Sequence, residues 1–160
     1  MKIAILGPAG SGKSTLSNKF SSLGLKVIEV DKIVHESYES NEMILRFLKT
    51  FVPECIVDGK VSRKILGTAL FQDTNLRETL EEIFFEKVFV PLLEELKDDF
   101  IIDGLMPKYV NRINFDSVIY VHTPEEERVK RLLNRGVTPS RIKEIVSVQK
   151  GIFRDPINWR

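Results

Sequence analysis

The stretch Gly7-Pro8-Ala9-Gly10-Ser11-Gly12-Lys13-Ser14 constrains this chain more than any other. It follows a mostly apolar run, Lys2–Leu6, and leads into Lys13–Ser22, whose pattern is helical. Glycine weakens regular structure, so glycines at 7, 10 and 12 mark a backbone that must turn tightly. Their spacing is G-x-x-x-x-G-K-[ST], in which successive N–H groups turn inward as an anion nest. A helix beginning near Lys13 adds its positive end. A chance match in a chain of this length occurs on the order of 1% of the time. The strand before it and the helix after it narrow the reading to a loop built to cradle phosphate.

The rest of the chain reads as alternating strands and helices. Further strands are expected at Lys26–Val30, Phe100–Asp103 and Ser117–Val121. Helical patterns run to Glu36 and from Glu42 to Thr50. Pro53–Gly59 reads as a connector ending in an Asp58-Gly59 turn. Ser62 is placed to cap a helix over Arg63–Phe71. A long helix follows from Asp73 or Thr74, with Pro91 expected to kink or divide it. Thr123-Pro124-Glu125-Glu126 predicts a capped helix start, with Thr123 as N-cap. Thr138-Pro139 predicts another, reaching about Lys150. Short apolar strands between helices imply an α/β fold, a parallel sheet flanked by helices, of the P-loop NTPase kind. The segment between the second and third strands is too long for one crossover helix. Residues 32–98 are therefore expected to form a helical substrate-binding insertion, and residues 124–141 a lid, within one P-loop kinase domain.

Composition excludes several classes. The chain has 160 residues with a net charge of +1, so no broad basic field points to nucleic acid. No apolar run approaches the ~20 residues of a membrane span, and the short apolar start does not read as a signal peptide. The single cysteine, Cys55, rules out an intrachain disulfide and suits a cytoplasmic setting. Its apolar neighbours suggest a buried thiol.

The loop predicts ATP as ligand, held by Gly7, Pro8, Ala9, Gly10, Ser11, Gly12, Lys13, Ser14 and Thr15. Lys13 would reach the β- and γ-phosphates and Ser14 would ligate Mg²⁺. A GTPase should carry N-K-x-D, which does not occur here. Size and the helical insertion favour a kinase acting on a small molecule. In open α/β sheets ligands collect at the carboxyl ends of strands. Asp31 follows the second strand and Asp103 the third. Asp31 is a candidate to aim an attacking hydroxyl and take its proton. Asp103 is a candidate for Mg²⁺ through water, or for the substrate side. His35 lies four residues after Asp31. Arg128, Arg131 and Arg135 share one helical face. Arg128 reads as solvated and paired with Glu125–Glu127, while Arg131 and Arg141 stay open. Phe84, Phe85 and Phe89 read as core. Three functions fit: a kinase for one specific acceptor, a kinase of the same architecture for another nucleotide or small alcohol, and a non-catalytic nucleotide-binding regulator.

The order of the loop, VIEVDKIVH, DGKVSRKILGTALF and RGVTPSRIKEIVSVQ resembles the dephospho-coenzyme A kinase family over roughly Met1–Gln149. The middle segment is the specific one. The resemblance implies transfer of the ATP γ-phosphate to the ribose 3′-hydroxyl of dephospho-coenzyme A, with Mg²⁺, by a monomer or weak oligomer. It implies Asp31 as catalytic aspartate, His35 and Arg63 as substrate-side residues, and Arg135 as a lid arginine meeting the transferring phosphate. The chain differs from the family pattern in three places. Ile102-Asp103-Gly104-Leu105-Met106-Pro107 replaces V-P-L-L-(F/Y)-E, the His-Pro pair of the long helix is absent, and Asp155–Arg160 does not continue as the A-D-x-V-I-x-N strand.

Overall fold

The computed structural model describes residues 1–153, so the comparison made for Asp155–Arg160 lies outside the described residues. The chain divides into two compact units, one of Met1–Val30 with the chain from Asp98 onward, the other of Asp31–Lys97.

The first unit is built on four parallel strands: β1 (Lys2–Leu6), β2 (Lys26–Glu29), β5 (Phe100–Asp103) and β6 (Ser117–Tyr120). Their order is β2-β5-β1-β6, with all pairings parallel. All four expected strands are present, and β1 and β5 form the centre. Ala4, Ile5, Leu6, Ile101 and Ile102 are fully buried, as near-continuous apolar runs in a sheet covered on both faces should be. On one face Ile3, Ile5 and Ile101 pack with Leu16 and Phe20 of helix α1 (Lys13–Ser22). Full burial of each such aliphatic side chain contributes about 1.5–3 kcal/mol. The register pairs Ile5 with Asp103, so the carboxyl ends of β1 and β5 lie side by side. Chain order reverses across β1, which makes the end of that strand a topological switch point.

Two starts in this unit differ from the sequence reading. Strand β2 stops at Glu29 because helix α2 (Val30–Ser40) begins one residue earlier than expected. Asp31 therefore sits in the first turn of a helix rather than at a strand end. Helix α8 (Glu125–Asn134) starts after Pro124, and no side chain caps it. The Thr123 hydroxyl is engaged elsewhere, donating to the Ser11 carbonyl at 2.8 Å. Helix α9 (Pro139–Ile152) is capped as predicted, Thr138 accepting from the Arg141 N–H. Helices α8 and α9 pack on each other. A short helix, α7 (Pro107–Val110), lies between β5 and β6.

The second unit is mainly helical. Helix α3 (Glu42–Phe51) is capped by Asn41, whose side chain accepts from the Met43 and Ile44 N–H groups. The expected connector contains a small hairpin, β3 (Ile56–Val57) with β4 (Lys60–Val61). Asp58 and Gly59 turn it with φ of 49° and 77°, the pattern of a two-residue type I′ turn. Ser62 precedes α4 (Arg63–Gln72) without a side-chain cap bond, whereas Asp73 caps α5 (Thr74–Phe84) through the Leu76 N–H. The long helix is divided near Pro91, as expected. A π-helical turn over Phe85–Phe89 leads directly into α6 (Val90–Glu95), with helical dihedrals at the joins. Pro91 removes one N–H and its ring crowds the carbonyl four residues back, at Lys87. The wider π turn containing Lys87 gives that crowding room. Phe84, Phe85 and Phe89 are 7%, 2% and 0% exposed, so the phenylalanine stripe is core. Cys55 is buried too, and burial, aided by Glu54, pushes its thiol pKa up.

Candidate active site

The loop between β1 and α1 has the form its glycines predict. Gly7, Gly10 and Gly12 all have positive φ. Gly12 is the N-cap of α1 in the left-handed region and offers no side-chain bond to the first turn. Ser11 N–H donates back to the Pro8 carbonyl at 3.1 Å, and Thr15 and Leu16 N–H groups to Gly12. The N–H groups of Gly10, Gly12 and Ser14 have no partner among the described residues. These open donors sit in the glycine turn and at a helix N-terminus, where an anion is best stabilised. Lys13 Nζ donates to the carbonyls of Gly7 at 2.7 Å and Pro8 at 3.2 Å, which holds the ammonium at the start of the loop. Ser14 and Thr15 are exposed, whereas Gly7, Pro8, Gly10 and Ser11 are buried.

Gly10 is the tightest point. A Cβ there would meet the Arg128 carbonyl oxygen at 2.8 Å and its Cα at 3.2 Å, at φ +77°. We predict that Gly10→Ala costs roughly 1–3 kcal/mol in backbone strain, with the α8 clash in addition. Thermal denaturation without nucleotide should show a clearly lower Tm. An unchanged Tm would mean that α8 yields freely at this contact.

Asp103 ends β5 and is 9% exposed. Ser17 Oγ donates to its Oδ2 at 2.7 Å and also to the Lys13 carbonyl at 3.1 Å. The carboxylate is thus tied to α1 one turn beyond Ser14. Among the described residues no group of three or more His, Cys, Asp or Glu side chains gathers that could hold a metal. One hydroxyl and one anchored carboxylate are hard oxygen donors. They fit Mg²⁺, which keeps several waters and takes further ligands from phosphate. Ser17 escaped the sequence reading, and its only signal was a hydroxyl three residues after Ser14 on the same helix.

The arginines of α8 are arranged differently from expectation. Arg128 is not solvated but 8% exposed, because its Nη1 donates to the Ala9 carbonyl at 3.3 Å. It keeps only a 3.9 Å approach to Glu125. Arg131 Nη1 donates to the carbonyls of Gly10 and Ser11 at 3.2 and 3.3 Å. Arg135 is exposed at the C-cap of α8, where a cation suits the helix dipole. Arg141, at the start of α9, is neutralised by Glu144, 2.6 Å away. Gln149 also reaches the loop, its Oε1 accepting from the Ala9 N–H at 3.0 Å.

In the second unit Asp31, His35 and Tyr38 follow one another at helical spacing along α2. His35 and Tyr38 meet edge to face, with ring centroids 6.0 Å apart. Arg63, first residue of α4, is close enough to act on both rings. Burial pushes the Tyr38 hydroxyl up to about 12, reinforced by Asp31 and opposed by Arg63. Burial also lowers the His35 pKa, with Arg63 adding to the effect and Asp31 opposing it. The structure therefore gathers Asp31, His35 and Arg63 with Tyr38, which sequence reading did not single out. A carboxylate, a guanidinium and a neutral imidazole together suit an acceptor that is both anionic and rich in hydroxyls.

The histidine makes a pH prediction. Below its ordinary value of 6.5 the unfolded chain takes up a proton that folded His35 resists. The unfolded state then binds more protons, so stability falls as pH drops through that value and is regained above it. Thermal melts from about pH 5 to 8 should show this loss, and His35→Gln should flatten it. An equal acid slope in His35→Gln would place its origin elsewhere.

Comparison with known proteins follows the same lines. The model of the family described as CoaE, dephospho-CoA kinase, matches residues 1–152. Dephospho-CoA kinase from Aquifex aeolicus is 29% identical over 148 residues, 86% of this chain and 74% of that protein. The protein of the same name from Campylobacter jejuni is 31% identical over 139 residues, 78% and 67% of the two chains. Among solved structures, TT1252 from Thermus thermophilus has a TM-score of 0.74 at 27% identity, covering 92% of this chain and 79% of that one. A Campylobacter jejuni dephospho-CoA kinase shares the fold, with a TM-score of 0.56 at 24% identity over 94% of this chain and 83% of that one. With the loop, the insertion and the arginine-bearing helices all inside the matched range, the chain belongs to the dephospho-CoA kinase family.

Proposed function

We propose that this protein transfers the γ-phosphate of ATP to the ribose 3′-hydroxyl of dephospho-coenzyme A, giving coenzyme A and ADP. The observation that carries the reading is the family match over residues 1–152, which takes in both the phosphate loop and the whole insertion. The open N–H groups of Gly10, Gly12 and Ser14 supply a cradle for the donor phosphates. Lys13 exchanges its two loop carbonyls for phosphate oxygens when nucleotide arrives. Ser14, and Asp103 through water, would hold the Mg²⁺ that accompanies ATP, which would neutralise charge on the phosphates.

The transfer itself is one displacement. The 3′-oxygen forms a bond to the γ-phosphorus while the bond from that phosphorus to the β,γ-bridging oxygen breaks. The hydroxyl proton goes to the Asp31 carboxylate, and ADP leaves with the electron pair. The transition state is loose, so Asp31 acts more by aiming the hydroxyl than by basicity. His35 and Arg63 bind the acceptor, the guanidinium meeting its pyrophosphate. Arg135 meets the phosphoryl group in transit, where developing charge makes a fixed cation most valuable. The buried reduced Cys55 suits a cytoplasmic enzyme.

An acceptor panel tests the reading. ADP release coupled to an indicator should depend on dephospho-coenzyme A, and other nucleotides and small alcohols should give background rates. Acceptor-dependent ADP from a different compound, with none from dephospho-coenzyme A, would replace this function by that of a sister kinase. Tight ATP binding with no transfer to any acceptor would make the protein a nucleotide-binding regulator.

A further inference from the structure

Both main-chain polar groups of Ala9 are held by side chains more than a hundred residues away in sequence. The N–H donates to Gln149 Oε1 at 3.0 Å, and the carbonyl accepts from Arg128 Nη1 at 3.3 Å. Arg128 is 8% exposed, an unusual place for a cation whose only carboxylate neighbour among the described residues is 3.9 Å away. Its Nε has no partner among the described residues. A buried guanidinium this poorly neutralised is unfavourable for stability alone. Its backbone also packs against Gly10, where no Cβ would fit.

The consequence is orientational. An anion nest works only while its N–H groups point inward, which requires the intervening carbonyls to point outward. Ala9 directly precedes Gly10, whose N–H is open, and glycine's lack of a Cβ lets the peptide before it take either orientation. Fixing the Ala9 carbonyl fixes the Ala9–Gly10 peptide plane, and with it the direction of the Gly10 N–H. Fixing the Ala9 N–H fixes the plane before it. The Ala9 N–H is itself spent on Gln149, so it is not one of the donors left for phosphate.

We propose that Gln149 and Arg128 are positioning residues for the donor phosphates, acting through Ala9. This rests on the reading of the loop as the ATP site. Neither residue touches the nucleotide in this account. Arg128 holds the peptide that carries the Gly10 N–H, and Gln149 holds the peptide before it.

Gln149 is the cleaner residue to test, being uncharged and only half-buried. Gln149→Met is nearly isosteric and removes the acceptor. Titration calorimetry should show ATP and ADP binding weakened about tenfold, the size expected for one misaligned buried donor. Affinity for dephospho-coenzyme A and the Tm without ligand should stay as in the parent. Arg128→Met should act in the same direction. Because both hold one residue, adding it to Gln149→Met should weaken ATP binding by less than the product of the single effects. If Arg128→Met fails to fold, Gln149→Met alone decides. Parent protein that binds no ATP would remove the reading on which the proposal rests. Parent that binds ATP, with Gln149→Met binding it equally well, would overturn the proposal and leave that reading intact. A parallel fall in ATP affinity, acceptor affinity and Tm would also overturn it, by showing a structural role only.

Discussion

Exchanging Asp31 for asparagine is expected to lower kcat roughly 10²- to 10⁴-fold, the range for a positioned proton acceptor. The side chain is exposed in the first turn of α2 and takes no part in the core. The fold should therefore survive, with an unchanged Tm within about a degree or two. An asparagine keeps the shape and can still meet the 3′-hydroxyl, but it cannot take the proton. ATP affinity should be unaffected and the Michaelis constant for the acceptor little changed, so the loss should fall on kcat. Stopped-assay turnover with saturating substrates measures it. Full activity in Asp31→Asn would remove this carboxylate from the mechanism.

Lys13→Ala is expected to be the other near-complete loss. A fixed donor to developing charge contributes about 10²–10³ in kcat, and here the ground-state phosphates lose their cation as well. Both kcat and ATP affinity should fall, in contrast to Asp31→Asn. The Gly7 and Pro8 carbonyls that Lys13 now occupies lie in the loop, beyond the end of β1. Circular dichroism should accordingly show the parent fold. Turnover within a few-fold of the parent would contradict the role assigned to the loop.

Much of the fold was legible in the sequence because local patterns agreed with one another. Residues 3–6 and 100–102 are continuous apolar runs, and both lie buried in strands as read. Thr138 caps α9 as its position before Pro139 implied. The errors arose where a residue had a stronger partner far away in the chain. Thr123 fits an N-cap by every local rule, yet its hydroxyl bonds the Ser11 carbonyl, 112 residues distant. Arg128 has three glutamates nearby in sequence, yet it is buried on the Ala9 carbonyl.

The candidate site divides in the same way. Lys13, Ser14, Asp31, His35 and Arg63 were legible because motif or family spacing marks them. Ser17, Tyr38 and Gln149 were not. Ser17 matters because it ties Asp103 to α1, a contact between a helix and a strand far apart in sequence. Tyr38 matters through its contact with His35, and helical spacing alone does not distinguish it from a core tyrosine. Gln149 stands at the end of the stretch RIKEIVSVQ, whose resemblance to the family marks its position but not its bond.

Product identification tests the central claim most directly. The protein is incubated with ATP and dephospho-coenzyme A, ADP is counted, and the new phosphate is located by phosphorus NMR and mass spectrometry. We predict one ADP for each coenzyme A formed, with every new phosphate on the ribose 3′-oxygen. ADP appearing at the same rate without acceptor, or dephospho-coenzyme A recovered unchanged from an otherwise active reaction, would contradict it.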